Sequence, residues 1–290
     1  MVDGQVAIPL TARLALGRAA VQVLARDAGA EILHIKGNAV DPSLRAVARS
    51  GTDVDMMARP SHVTELDRTL RQHGWVVYSS FAYGSPFEHA QTYWHDTWGY
   101  LDLHRWFPGI RLEPEAAFEA LWRDRTTMEV GGVTCEVPDV AGQAVILILN
   151  TARSGGIAGS ELEQAWRDWS PEFRARVRRL VGVLDAPTAF AAAFGRLSDA
   201  AQERDYPLWR VVSLGGSRID EWRARVAAAR TPMDALKIIL RAPRVNTEQL
   251  RHDLGHPPSS REIASALAGR VAQAARELGD KTRSWVRRRQ

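Results

Sequence analysis

Two aspartates one residue apart, Asp53 and Asp55 in TDVDMMA, and a third, Asp102 in YLDLH, are the residues of this chain best suited to chemistry. In an extended segment alternate side chains share a face, so Asp53 and Asp55 project together while Val54 and Met56 point the other way. YLDLH repeats the device, with Asp102 and His104 on one face and Leu101 and Leu103 on the other. Carboxylates gathered in this way suit hard cations, Mg²⁺ or Mn²⁺. Two such ions roughly 3.5–4 Å apart stabilise both the entering and the leaving oxygen of an in-line phosphoryl displacement. An Asp-x-Asp pair alone is also common on solvated strand faces and turns, so the residues around it decide its meaning.

Upstream, the apolar run EILHIK ends in Lys36-Gly37-Asn38, and Arg49-Ser50-Gly51 leads into the aspartate pair. Glycine lets a phosphate approach backbone N–H groups, and Lys36 and Arg49 can neutralise triphosphate charge. Basic residues, glycines, Asp-x-Asp and a later aspartate therefore occur in the order a metal–triphosphate site needs. His104 can serve as a phosphate contact or proton shuttle, or be a hydrogen-bonded structural residue; His89 in FEHAQTYW is the weaker candidate.

These residues must be held by strands and helices, and the periodicity supplies both. A helix is expected from Leu10 to Ala28, then the buried strand EILHIK and a short helix from Val40 to Ala48. The strand TDVDMMA, the helix SHVTELDRTLRQHG stopped at Gly74, and the strands WVVYSS, FEHAQTYW and WGYLDLHRW follow. A helix over EPEAAFEALW, a hairpin TTMEVGGVTCEV turning at Gly131-Gly132, and an apolar helix from Asp139 to Ala152 complete this half. RSGGIAGS is the expected linker. Beyond it the pattern is helical, broken at Pro171, Pro187, Pro207, Pro232 and Pro257-Pro258. The expected division is residues 1–152, a mixed sheet flanked by helices, then 153–280, a mostly helical unit, and a basic tail at 281–290. The fold class is α+β.

The composition is that of an ordinary globular protein, 45% hydrophobic and 25% charged over 290 residues. No run approaches the roughly 20 apolar residues of a membrane span, and the start does not read as a secretory signal, so cytoplasmic residence is expected. Cys135 is the only cysteine, which excludes an internal disulfide and any multi-cysteine metal site. The net charge of +4 permits a polyanionic partner without requiring one. Trp75, Trp94, Trp98 and Trp106 fall in or beside strands and read as core and groove walls. The run Arg174, Arg176, Arg178 and Arg179 reads as a solvated helix face. Arg283 and Arg287 to Arg289, around Trp285, can touch RNA, an acidic peptide or a membrane surface.

The stretch from HIKG at 34–37, through RSGTDVDMM at 49–57, to YLDLH at 100–104 resembles an uncharacterised nucleotidyltransferase family of the polymerase-β-like superfamily. The resemblance covers roughly residues 10 to 150. It implies an enzyme that moves a nucleoside monophosphate from an NTP to a hydroxyl or phosphate acceptor with release of pyrophosphate. By it, Asp53, Asp55 and Asp102 would bind Mg²⁺ or Mn²⁺, and Lys36, Gly37, Asn38, Arg49, Ser50 and His104 would lie against the nucleotide. The superfamily includes enzymes acting on antibiotics and on RNA, so the acceptor stays open among small molecule, peptide and RNA. Asn38 after Gly37, where a second small residue is usual, and the spacer VDPSLRAVARSG depart from the pattern. They leave room for transfer at a phosphorylated small molecule or peptide, or for a non-catalytic nucleotide- or RNA-binding regulator.

Overall fold

The computed structural model describes residues 8–44, 51–83, 85–229, 231–241 and 245–270, with residues 272 and 276. The basic tail, Arg49 and Ser50 lie outside the described residues. Helix α1 (Leu10–Asp27) leads into β1 (Ile32–His34) and two 3₁₀ turns, Gly37–Ala39 and Pro42–Leu44. The short helix expected from Val40 to Ala48 is a 3₁₀ turn as far as it is described, because Val40 is extended, at ψ 130°, and Pro42 disfavours helical backbone at the residue before it. β2 (Asp53–Ala58), α2 (Val63–Gln72), β3 (Val76–Ser79), β4 (Ala90–His95) and β5 (Gly99–His104) follow. Next come α3 (Pro114–Arg123), the hairpin β6 (Thr126–Val130) and β7 (Val133–Val137), and α4 (Val140–Thr151). The remaining elements are helices: α5 (Glu161–Asp168), α6 (Pro171–Val183), α7 (Pro187–Ala193), α8 (Tyr206–Leu214), α9 (Arg218–Ala228), α10 (Pro232–Arg241) and α11 (Thr247–Leu254). None among the described residues is long and apolar enough to cross a membrane.

Five strands form one mixed sheet in the order β1-β2-β5-β4-β3, and β6 and β7 pair separately. Only β2 and β5 run parallel; every other neighbour is antiparallel. One sheet face buries Val54, Met56, Tyr93, Leu101 and Leu103 against Leu14 and Val21 of α1 and Leu66 and Leu70 of α2. A one-residue slip of β2 would put Asp53 and Asp55 into that layer in place of Val54 and Met56. Each apolar side chain buried there contributes about 1.5–3 kcal/mol, so the register is strongly held.

The opposite face is divided. Near its β1 edge, Leu33 and Met57 join a second core, with Phe107, Phe118, the apolar face of α4, Val177 and Val181 of α6, Ala189 of α7 and Trp209 of α8. Ile157 is buried in it and donates its N–H to Ala193 O at 2.8 Å. Toward β3, the rings of Tyr78 and Trp94, which both pack on Tyr100, meet His252 of α11. Asn246, the cap of α11, is buried and reaches Ser79 Oγ from Nδ2 at 3.1 Å. Between these two covers lie the carboxylates.

Candidate active site

The parallel register of β2 and β5 pairs Asp55 with Asp102 and Met57 with His104. Sharing a register in adjacent parallel strands puts their side chains on one face, and Asp55, Asp102 and His104 offer ligand atoms all within 4.8 Å of one another. Asp53 stands two residues earlier on the same face of β2, opposite Tyr100. Thr92, facing Asp102 from β4, donates its hydroxyl to Asp102 Oδ1 at 2.6 Å. That leaves Oδ2 for another partner. Asp55 is buried, and its Oδ1 accepts both the Lys36 ammonium and, at 3.1 Å, His104 Nε2.

Three acids in so small a space repel one another. Burial first, and then the charge of Asp55, pushes the Asp102 carboxyl up from 3.8 to about 6. The same two causes raise Asp53, with Lys36 and Arg18 pulling the other way.

The loop beneath the aspartates depends on backbone freedom. Lys36 and Gly37 occupy the left-handed region in succession, at φ 57° and 52°. For a lysine this costs about 1–2 kcal/mol, and the ion pair with Asp55 acts against that cost. Gly51 packs against Gly37: a Cβ on Gly51 would lie 3.6 Å from Gly37 Cα and 3.4 Å from Asp53 O. The two glycines thus bring the Lys36 loop and the start of β2 together. From α1, the guanidinium of Arg18 reaches the same loop, where a Cβ on Gly37 would meet Nη2 at 3.5 Å. Arg18 is almost fully buried, burial lowers its pKa, and its Nη1 has no hydrogen-bond partner among the described residues. Arg18, Asn38, Gly51 and Asp53 line a cavity of about 250 Å³, closed by the hairpin residues Glu129 to Gly131.

No family model matches the chain, and no curated protein matches its sequence. Solved structures do resemble it in part. The lincomycin-bound lincosamide antibiotic adenylyltransferase LnuA is 14% identical, over 57% of this chain and 94% of its own, at a TM-score of 0.33. The antibiotic-resistance factor ANT(2'')-Ia is 13% identical, over 65% and 93%, at 0.38. An antigenic nucleotidyltransferase-like protein from Paracoccidioides brasiliensis is 14% identical, over 65% and 95%, at 0.37. Any role for a residue here rests on this chain's own side chains.

Of the residues expected at a site, the structure brings together Asp53, Asp55, Asp102, Lys36 and His104, with Gly37 and Asn38 in the adjoining loop. Behind them is a buried polar layer in which His104 and His89 meet Arg153, a residue that sequence patterns did not single out. His104 donates Nε2–H to Asp55, which leaves Nδ1 unprotonated and without a partner. His89, whose ring lies 5.0 Å from that of His104, accepts at Nε2 from Arg153 Nη1 at 3.4 Å. Burial, followed by neighbouring positive charge, holds both histidines well below 6.5, so both are neutral at pH 7. Arg153 itself feels Asp102 and Asp55. Arg18 had a sequence signal, a charge within the apolar stripe Leu14, Val21 and Ala25. Arg153, set among glycines and serines, had none.

Proposed function

We propose that this protein is a metal-dependent nucleotidyltransferase. The observation that carries the reading is the pairing of Asp55 with Asp102 across parallel strands, with Asp53 on the same face and Lys36 and Arg18 converging on the adjoining glycine loop. Asp53, Asp55 and Asp102 would hold Mg²⁺ or Mn²⁺. The donor set fits a hard dication: all three ligands are carboxylates, and the burial and mutual repulsion that raise Asp53 and Asp102 are offset by positive charge. Bound there, such ions supply charge for the entering and leaving oxygens of phosphoryl transfer.

The chain's own groups do the rest. The cavity beside Asp53, with Arg18, Asn38 and the glycine backbones on its walls, would seat the triphosphate, and Lys36, drawn from Asp55, would meet its charge. Asp102, one oxygen held by Thr92, would accept the acceptor's hydroxyl proton through the other. His104 fixes the Asp55 carboxylate, and Arg153 adds positive charge from the helical side. We keep the division into residues 1–152 and 153–280 as part of this reading, the second forming the acceptor side of the cleft.

Incubation of the protein with each labelled NTP, Mg²⁺ and a cell extract tests the proposal. Label transferred to a product, with stoichiometric pyrophosphate that chelation abolishes, is the expected result. A protein that binds no NTP with Mg²⁺ or Mn²⁺ would overturn it.

A further inference from the structure

A second cavity, larger than the one beside Asp53, lies elsewhere. It is a cleft of about 920 Å³ between the ends of β4 and β5 and helices α8, α9 and α10. That volume lies in the range of small-molecule sites, roughly 300–1,000 Å³. His89 and His104 separate it from the aspartates, since Phe87, on its wall, packs edge-on to His89 and Phe107, also on its wall, stacks on His104.

Its lining is aromatic and basic. Phe87 lies against Trp209 with ring centroids 4.9 Å apart, and the Arg105 guanidinium sits 4.0 Å over the ring of Trp106. Six cationic side chains line the cleft against four carboxylates. One carboxylate is placed at a cost: Glu88 has φ 51°, the left-handed region, and from there bridges Arg225 at 2.7 Å and Arg241 at 3.0 Å. Arg225 is 6% exposed, and its Nε is buried without a hydrogen-bond partner among the described residues. The helix that carries Arg241, α10, contributes no buried residue, so it can shift without opening a core.

We propose that this cleft binds a planar, ring-bearing molecule with one anionic group. The anion takes the place of the Glu88 carboxylate between Arg225 and Arg241, and the ring packs against Phe87 and Trp106. Glu88 then acts as an internal stand-in: it is the close carboxylate for both arginines, Glu221 standing farther off at 3.9 Å from Arg225, and it yields to a ligand that brings its own charge. The site does not depend on the transfer reaction, because none of the metal-binding aspartates lines it.

The probes are 8-anilinonaphthalene-1-sulfonate and its uncharged analogue N-phenyl-1-naphthylamine, titrated by fluorescence into the full chain. The sulfonate is expected to bind saturably, one per chain, and about tenfold more tightly than the neutral ring, the value of one charge-assisted contact. Arg241→Met should remove that preference, and Glu88→Gln should strengthen sulfonate binding, since it deletes the competing carboxylate. Both positions are at least partly exposed, and thermal unfolding checks that both variants fold. Equal binding of the two probes, sulfonate binding unchanged by Arg241→Met, or no gain from Glu88→Gln would overturn the proposal.

Discussion

Replacing Asp102 by Asn should make the metal-free protein more stable while abolishing turnover. The wild-type carboxyl is pushed from 3.8 to about 6, so at pH 7 the fold holds an ionised group it disfavours. At 1.36 kcal/mol for each pH unit, the difference is worth about 3 kcal/mol. Asp102 keeps some contact with solvent, and screening places the expected gain at roughly 2–3 kcal/mol. Asn has the same shape and still accepts from Thr92, so no cavity or broken hydrogen bond offsets it. For a chain of 290 residues the gain corresponds to a rise of about 3–5 °C in Tm. The sign with pH follows from linkage: a raised carboxyl destabilises fully above its folded value and not at all below its unfolded one. The advantage of the variant should therefore be complete at pH 7, shrink through about pH 6 and vanish near 3.8. Thermal unfolding of both proteins in EDTA across that range measures it. In Mg²⁺ the order should narrow or reverse, because the wild type has the extra ligand. A variant no more stable than wild type at pH 7 in EDTA would refute the reasoning.

Asp53→Asn and Asp55→Asn should each reduce turnover to background while the far-ultraviolet circular dichroism stays that of the wild type, and Lys36→Ala should raise the KM for NTP more than it lowers kcat. His34, fully buried with Nε2 3.1 Å from Gln22 Oε1, is held well below 6.5 by burial, as are His89 and His104. A depressed histidine gives stability that is complete above 6.5 and lost as pH falls, each contributing about 1.4 kcal/mol for each pH unit. Denaturant unfolding between pH 6.5 and 5.5 should show that loss, opposed in part by Asp102, and His34→Gln should reduce the slope by about one proton. Gly109→Ala should destabilise by at least about 2 kcal/mol in thermal or denaturant unfolding, since φ is 96° and the added Cβ would stand 2.4 Å from Ala189 Cβ.

Alternation in TDVDMMA and YLDLH, with aspartates on one face and Val54, Met56, Leu101 and Leu103 on the other, was legible because strand geometry is local and has a period of two. The mixed sheet with its flanking helices, and the order of Lys36, Gly37 and the aspartates, came from the same kind of pattern. No local rule says that β2 and β5 are parallel neighbours rather than members of different edges. That pairing depends on which strands bury their apolar faces under α1 and α2, and it alone brings Asp102 level with Asp55. The stretch after Gly37 is expected as a helix, whereas its described part is two 3₁₀ turns separated by the extended Val40. Arg18 and Arg153 reach the site from residues far away in the chain, and their charge has meaning only where burial removes water. Sequence by itself determined which side chains can bind a metal and which way each strand turns them; tertiary packing decided which of them meet, because proximity across a sheet is set by the burial of the opposite face.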